Sequence, residues 1–102
     1  MRLLVLFDLP TTTKAHKKAY VQFRRFLIKD GYDMLQWSVY TRLTNGFDQT
    51  QTHLKRLKNN LPKEGSIRCI ELTEKQFTQM KVLLGERKIQ EKVNTHEQFL
   101  LF

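Results

Sequence analysis

A chain of 102 residues is long enough for one domain and too short for two. Hydrophobic residues make up 40% of it and charged residues 27%, a balance that argues against both a disordered and a membrane-spanning protein. The formal net charge is +8, from 18 basic and 10 acidic residues, which indicates a polyanionic partner such as nucleic acid; plain solubility is the alternative.

The N-terminus and the cysteine content indicate where the protein works. The first apolar run, Leu3–Phe7, is too short for a signal-peptide core or a membrane span. Cys69 is the only cysteine, so neither an intrachain disulfide nor a cysteine metal cluster can form. We therefore expect a cytoplasmic protein without membrane contacts.

The first half of the chain predicts a strand, a helix and a strand pair. The apolar segment Arg2–Phe7 is typical of a central strand buried on both faces. Residues 13–30 have the spacing of a helix that ends at Gly31. Its inward stripe comprises Ala15, Ala19, Phe23, Phe26 and Leu27 with Tyr20 on the flank, whereas Lys14, Lys18, Val21, Arg25 and Ile28 face outward. Tyr32–Leu43 follows as two short strands with a turn near Gln36–Ser38.

The second half completes a recognisable order of elements. Residues 48–61 predict a helix with Leu54, Leu57 and Leu61 inward, and Ile67–Leu72 predicts a further strand. The order β-α-β-β-α-β is that of a ferredoxin-like α+β sandwich, with two helices on one face of an antiparallel sheet.

A C-terminal extension follows the predicted domain. We place the domain at residues 1–84 and the extension at 85–102, with a terminal strand at 98–102 that ends in Phe-Leu-Leu-Phe. Apolar residues at a chain end need a surface to cover. They either dock onto the core of their own chain or add a strand to the sheet edge of a partner subunit.

Four short motifs occur in order along the chain. Asp8 ends the first strand within Leu4–Pro10, and Phe23–Leu27, Gly31-Tyr32 and Gln36–Tyr40 follow. This series resembles the Cas2 family of CRISPR-associated proteins from about residue 2 to 84. The segments Lys18–Tyr20 and Leu72–Phe77 are most similar to the members found in type II CRISPR systems.

The resemblance implies a function and a set of partners. It implies a homodimer whose C-terminal strands cross between subunits and whose body lies between two dimers of the CRISPR integrase (Cas-one). In that arrangement the chain is a scaffold that binds double-stranded DNA without sequence specificity during spacer acquisition, and the integrase does the chemistry. The effector nuclease of the same system is a further candidate partner. The candidate interface residues are Trp37, Tyr40, Phe99, Leu100, Leu101 and Phe102.

Residues at the start of the first helix are the candidate DNA contacts. Free backbone N–H groups and the helix dipole favour a phosphate at a helix N-terminus, and lysines add positive charge. The candidates are Thr11, Thr12, Thr13, Lys14, Lys17, Lys18 and, farther along the helix, Arg25. The alternative for these lysines is an ordinary solvated helix face. Arg24 lies at the edge of the apolar stripe, where a structural ion pair with an acid of the sheet is the favoured role.

Asp8 is the candidate catalytic and metal-binding residue. Some members of the family it resembles are metal-dependent nucleases with an Asp at this position, which implies Mg²⁺ as a possible cofactor. Mg²⁺ prefers several oxygen ligands, and no second carboxylate lies in the same loop, so two subunits would have to share the ion. The alternative is that Asp8 caps the strand–helix turn and orders the dimer centre. The spacing of His53 and His96 does not indicate zinc.

Two other functions remain as rivals. An RNA-binding sheet would need exposed aromatic residues in a strand of the Lys/Arg-Gly-Phe-Gly-Phe type, and neither Gln36–Tyr40 nor Ile67–Leu72 has that pattern. A small toxin-type endoribonuclease is compatible with Asp8 but has no need of the strand at 98–102. The alternative to the scaffold is therefore a Mg²⁺-dependent endonuclease that uses Asp8 from each subunit.

Overall fold

The computed structural model describes residues 1–86 and places seven elements in them. These are β1 (Arg2–Asp8), α1 (Lys14–Lys29), β2 (Asp33–Gln36), β3 (Val39–Leu43), α2 (Gly46–Lys58), β4 (Ser66–Leu72) and α3 (Glu74–Thr78). The predicted strand at 98–102, and all of the extension beyond residue 86, lie outside the described residues.

The apolar strand β1 lies inside the sheet, as predicted, but the prediction that it is buried on both faces is wrong at Leu6, which is 38% exposed. The sheet has the order β2-β3-β1-β4, and every neighbouring pair is antiparallel. β2 and β4 are the edge strands. This arrangement confirms the α+β, ferredoxin-like prediction and places the carboxyl end of β1 beside the start of α1.

The main core lies between the sheet and the helices α1 and α2. Alternate residues of β1 point to this side because successive strand residues face opposite ways. Phe7 packs edge-on against Phe23 at 5.3 Å between ring centroids and stacks on Tyr40 at 5.7 Å. The buried members of this core are Leu3, Val5, Phe7, Phe23, Leu27, Tyr32, Tyr40 and Leu57.

The opposite face of the sheet has a smaller core that the sequence analysis did not anticipate. Phe77 of α3 is fully buried against Leu4 and Leu35. Arg2 of β1 holds α3 against the sheet. Its Nε and Nη2 atoms donate hydrogen bonds to the Glu74 carboxylate at 2.8 and 3.1 Å, and its guanidinium lies over the Phe77 ring. α3 therefore covers part of the face that β1 turns away from α1.

Two predictions about the helices have different outcomes. Val21 and Ile28 are exposed on α1, as predicted. The inward position of Leu61 is wrong, because α2 ends at Lys58 and Leu61, 49% exposed, lies beyond its last turn. Over residues 1–86 no helix combines the length and the apolar character that a membrane span requires.

A buried carboxylate joins the end of α1 to α2. The side chain of Asp30 is only 8% exposed and bonds to His53 Nδ1 at 2.8 Å and Arg56 Nη1 at 2.9 Å. Its backbone carbonyl accepts a hydrogen bond from Nε of Arg42 in β3. His53 is therefore a structural residue of the helix layer.

Candidate nucleic-acid interface

The start of α1 is exposed and only partly capped. Thr13 is the N-cap, and its hydroxyl accepts a hydrogen bond from the His16 amide at 3.0 Å. Within residues 1–86, no group accepts a hydrogen bond from the amides of Lys14 and Ala15. These donors point out of the helix end, where they combine with the positive end of the helix dipole. The helix end can thus bind an anion.

Three lysines, which we call the lysine cluster, surround this helix end: Lys14, Lys17 and Lys18. All three are exposed, and none forms an ion pair with any of the described residues. The first turn contains no acidic residue. Positive charges near a helix N-terminus repel the dipole, so the lysine cluster costs helix stability unless an anion binds there.

Arg25 extends the charge along the solvent face of α1. Lys14, Lys18 and Arg25 follow one another at spacings of four and seven residues, which places them on one line along the helix. At 1.5 Å per residue this line is about 16 Å long, comparable with the rise of about five base pairs of DNA. Like the lysine cluster, Arg25 is exposed and has no acidic partner among residues 1–86.

His16 lies beside the lysine cluster but both of its ring nitrogens are engaged. Nδ1 is 3.1 Å from the Thr12 hydroxyl, and Nε2 is 2.9 Å from the Glu64 carboxylate. The pair lies at the rim of an open cavity of about 350 Å³ between α1 and the loop that leads to β4. Because the hydrogen bonds hold the imidazole in place, His16 is part of the wall of this groove rather than a free base.

Asp8 is exposed at the last position of β1, opposite Ser66 of β4. Strand alternation points its side chain to the same face as Leu4 and Leu6, away from α1 and α2. The chain at Gly65 passes so close that an added Cβ would lie 2.8 Å from the Asp8 carbonyl oxygen. The turn is therefore tightly packed around the Asp8 backbone while its carboxylate faces solvent.

The Mg²⁺ expectation at Asp8 does not fit one chain. In the part of the chain that the structure describes, no three His, Cys, Asp or Glu side chains are close enough to hold a metal ion. A single carboxylate is a poor Mg²⁺ site, since this ion needs an octahedral set of oxygens. We therefore derive no metal-dependent step from these residues.

The two aromatic interface candidates differ in exposure: Tyr40 is buried and Trp37 is exposed. Tyr40 is 1% exposed in the core, where its hydroxyl accepts a hydrogen bond from Arg24 Nε at 2.8 Å. Its place in the predicted interface is therefore wrong, and the partner of Arg24 is a tyrosine rather than the expected acid. Trp37 is 72% exposed in the turn between β2 and β3, so it is not a core residue. The other interface candidates, Phe99, Leu100, Leu101 and Phe102, lie outside the described residues.

β4 presents a free edge that carries the lone cysteine. Within residues 1–86 it pairs only with β1, which leaves its other backbone edge open. Cys69 is in the middle of this strand and is exposed; partial burial of its thiol, together with the charge of Glu71, raises its pKa to about 11. The thiol is therefore protonated at neutral pH and is not an activated nucleophile.

Known proteins resemble this chain along most of its length. The family model of CRISPR associated protein Cas2 matches residues 1–80. A protein named CRISPR-associated endoribonuclease Cas2 from Acidovorax ebreus is 55% identical over 102 residues, which is all of both chains. One of the same name from Campylobacter jejuni is 43% identical over 102 residues, covering 100% of this chain and 71% of the other.

A solved structure agrees on the fold. The crystal structure of Streptococcus pyogenes Cas2 at pH 6.5 superposes with a TM-score of 0.63 and 24% sequence identity, over 81% of this chain and 99% of the other. Its similarity supports the ferredoxin-like fold. The family model and the curated relatives carry the assignment: the chain belongs to the Cas2 family of CRISPR-associated proteins.

Proposed function

We propose that this Cas2 protein is a homodimeric scaffold that holds double-stranded DNA, without reading its sequence, for the CRISPR integrase. The observation that carries the proposal is the lysine cluster at the N-terminus of α1, which has no acidic partner within residues 1–86. A DNA phosphate there would neutralise the lysines and accept hydrogen bonds from the free amides.

The chemistry of the contacts favours binding without sequence specificity. The candidate contacts are ammonium groups, one guanidinium, threonine hydroxyls and backbone N–H groups, all of which suit phosphate oxygens. Reading base edges would require side chains inserted into a groove, typically from a helix or a β-ribbon. The line of Lys14, Lys18 and Arg25 on the exposed face of α1 consists of cationic side chains, which suit a row of phosphates.

Dimer formation would double this charged line, and the open sheet face offers a surface for it. Leu6 is 38% exposed and Ile70 49% exposed on the side away from α1 and α2, next to the free edge of β4. A second copy that covers these residues would bury apolar area and remove an unpaired strand edge. The strand predicted from the sequence at 98–102 is the candidate for pairing with that edge or with the integrase. Deletion of Gln98–Phe102 should then weaken dimer formation or integrase binding.

Duplex DNA binding by a charge-reversed variant tests the scaffold proposal. Lys14→Glu, Lys17→Glu and Lys18→Glu combined should abolish binding to a blunt duplex while the protein stays folded and keeps its oligomeric state. The matched control reverses three exposed lysines elsewhere, Lys55, Lys58 and Lys75. The control should still bind the duplex, with an affinity lowered only by its smaller net positive charge. Retained binding by the first variant would place the DNA elsewhere and refute the proposal.

The relatives are named endoribonucleases, which favours this activity as a second candidate. In this chain Asp8 would be its active residue, and two copies would share the metal ion, because residues 1–86 of one copy bring no three His, Cys, Asp or Glu side chains together. RNA cleavage by the wild-type protein with Mg²⁺, compared with Asp8→Asn, tests this candidate. Cleavage that disappears in Asp8→Asn, from a variant that remains folded, would support it. Equal cleavage by both proteins would indicate a contaminating nuclease.

A further inference from the structure

We propose that Trp37 is a stacking platform for an unpaired nucleobase, at the flank of α1 beside the lysine cluster. The proposal rests on the nucleic-acid binding proposed above and adds to it the recognition of a single-stranded end. Trp37 is 72% exposed, although a large aromatic side chain of a single domain is usually covered in the folded state.

The indole is supported from the core outward by a series of rings. Trp37 stacks on Tyr20 at 6.1 Å between centroids with 26° between the ring planes, and Tyr20 contacts the buried Phe7 ring edge-on at 6.1 Å. Tyr20 covers one side of the indole, and 72% of the residue remains exposed. A base that stacked on the exposed side would continue this series, in the offset geometry that aromatic rings prefer.

The turn that carries Trp37 is fixed rather than loose. Ser38 is the only non-glycine residue with a positive φ, 63°, among residues 1–86. Its carbonyl accepts a hydrogen bond from the Phe7 amide at 3.1 Å, which ties the turn to β1. The backbone beside Trp37 is therefore held in place, and its ring stacks on Tyr20, before a ligand arrives, so that less conformational freedom is lost on binding.

Cations on both sides of this platform indicate a nucleic acid rather than a protein partner. Lys17 lies three residues before Tyr20 in α1 and Arg24 lies four residues after it, so both occupy the same flank of the helix. Both are exposed and neither has an acidic partner within the described part of the chain, while Nε of Arg24 also donates to the Tyr40 hydroxyl. Proteins that bind single strands without sequence preference combine positively charged side chains for the backbone with aromatic side chains on which the bases stack.

The fluorescence of Trp37 reports this contact directly, because it is the only tryptophan in the chain. The full chain is titrated with a blunt duplex, with the same duplex carrying unpaired thymidine 3′ ends, and with oligouridylate RNA. Unpaired ends should quench the fluorescence, whereas the blunt duplex should bind, as followed by the anisotropy of labelled DNA, without quenching. Quenching by oligouridylate as well would identify the base itself as the ligand; quenching by DNA alone would restrict the site to DNA ends.

Substitution of Trp37 gives the energetic test. Trp37→Ala should weaken binding of the duplex with unpaired ends by about 5- to 150-fold, which corresponds to about 1–3 kcal/mol for one stacked base. Trp37→Phe should retain most of the affinity because a ring remains. Both variants should bind the blunt duplex as the wild type does. A loss in Trp37→Ala that is equal for both duplexes, or no loss for either, would overturn the proposal.

Two further outcomes separate this site from the alternatives. Fluorescence that changes with protein concentration in the absence of nucleic acid, together with an altered oligomeric state of Trp37→Ala, would make Trp37 a contact between copies and overturn the proposal. Failure of the wild type to bind the blunt duplex would contradict the proposed scaffold function but not the stacking of a base on Trp37. Quenching by unpaired strands would then still support stacking at Trp37.

Discussion

The salt dependence of duplex binding gives a quantitative test of the lysine cluster. Each phosphate neutralised by a cation releases counterions, so that log K falls with log salt by about 0.9 for each contact on B-DNA. If Lys14, Lys17, Lys18 and Arg25 of two copies all contact phosphates, about eight contacts give a slope of about −7. Affinity should then fall about 10⁴-fold between about 50 and 200 mM salt.

Replacement of the lysine cluster should reduce this slope by a calculable amount. With Lys14→Gln, Lys17→Gln and Lys18→Gln combined, Arg25 of each copy remains and the slope should be about −2. Binding isotherms at several salt concentrations, followed by fluorescence anisotropy, give both slopes. A control with Lys55, Lys58 and Lys75 changed to Gln removes the same charge and should keep a slope near −7. A cluster variant whose slope stays within about one unit of the wild type would refute the reasoning.

Three further predictions concern stability and reactivity. Asp30→Ala should lower the free energy of unfolding, measured by urea titration, by about 3 kcal/mol, because it removes the buried partner of His53 and Arg56. The control Asp33→Ala, on the surface, should lower it by less than about 0.5 kcal/mol. Gly65→Ala should lower the free energy of unfolding by about 1–3 kcal/mol because of its φ of +112°, and by a further amount because the new Cβ would contact Leu9. Gly46→Ala, with φ +86° and open space around it, should show the backbone cost alone. Equal losses in the two variants would contradict the close approach at Gly65. Cys69 should react with a thiol reagent at pH 8 about a hundredfold more slowly than an unfolded cysteine, because its pKa is raised to about 11, and a rate that stops rising above pH 9 would contradict that shift.

The elements with strong periodicity could be predicted from the sequence. The apolar run of β1 and most of the stripe of α1 form as expected because each pattern extends over several repeats of its own period. Ala15, predicted to face inward, is exposed in the first turn. α3 was missed because five residues are too few to show a helical period, although Thr73 and Gln76 have the spacing of the capping box that forms there. The error at Leu61 has a similar origin, since hydrophobic spacing continues past the residue at which the backbone leaves the helix.

The candidate site was predictable only where helix phase decides exposure. The outward positions of Lys14, Lys18 and Arg25 follow from the spacing within α1. The partners of Arg56 and Arg24 could not be predicted from this spacing. Asp30, the partner of Arg56, and Tyr40, the partner of Arg24, belong to other parts of the chain and meet these arginines only in the tertiary structure. Trp37 has the residue type of a strand core, and the turn at Ser38 instead places it outside the sheet.

An integration assay with the purified integrase and duplex DNA tests the scaffold account most directly. It compares the wild type with Asp8→Ala and with the charge-reversed lysine cluster, after the oligomeric state and DNA binding of each protein have been measured. The account predicts wild-type integration with Asp8→Ala and none with the reversed cluster. Lost integration by an Asp8→Ala protein that still dimerises and still binds DNA would contradict it and assign chemistry to Asp8.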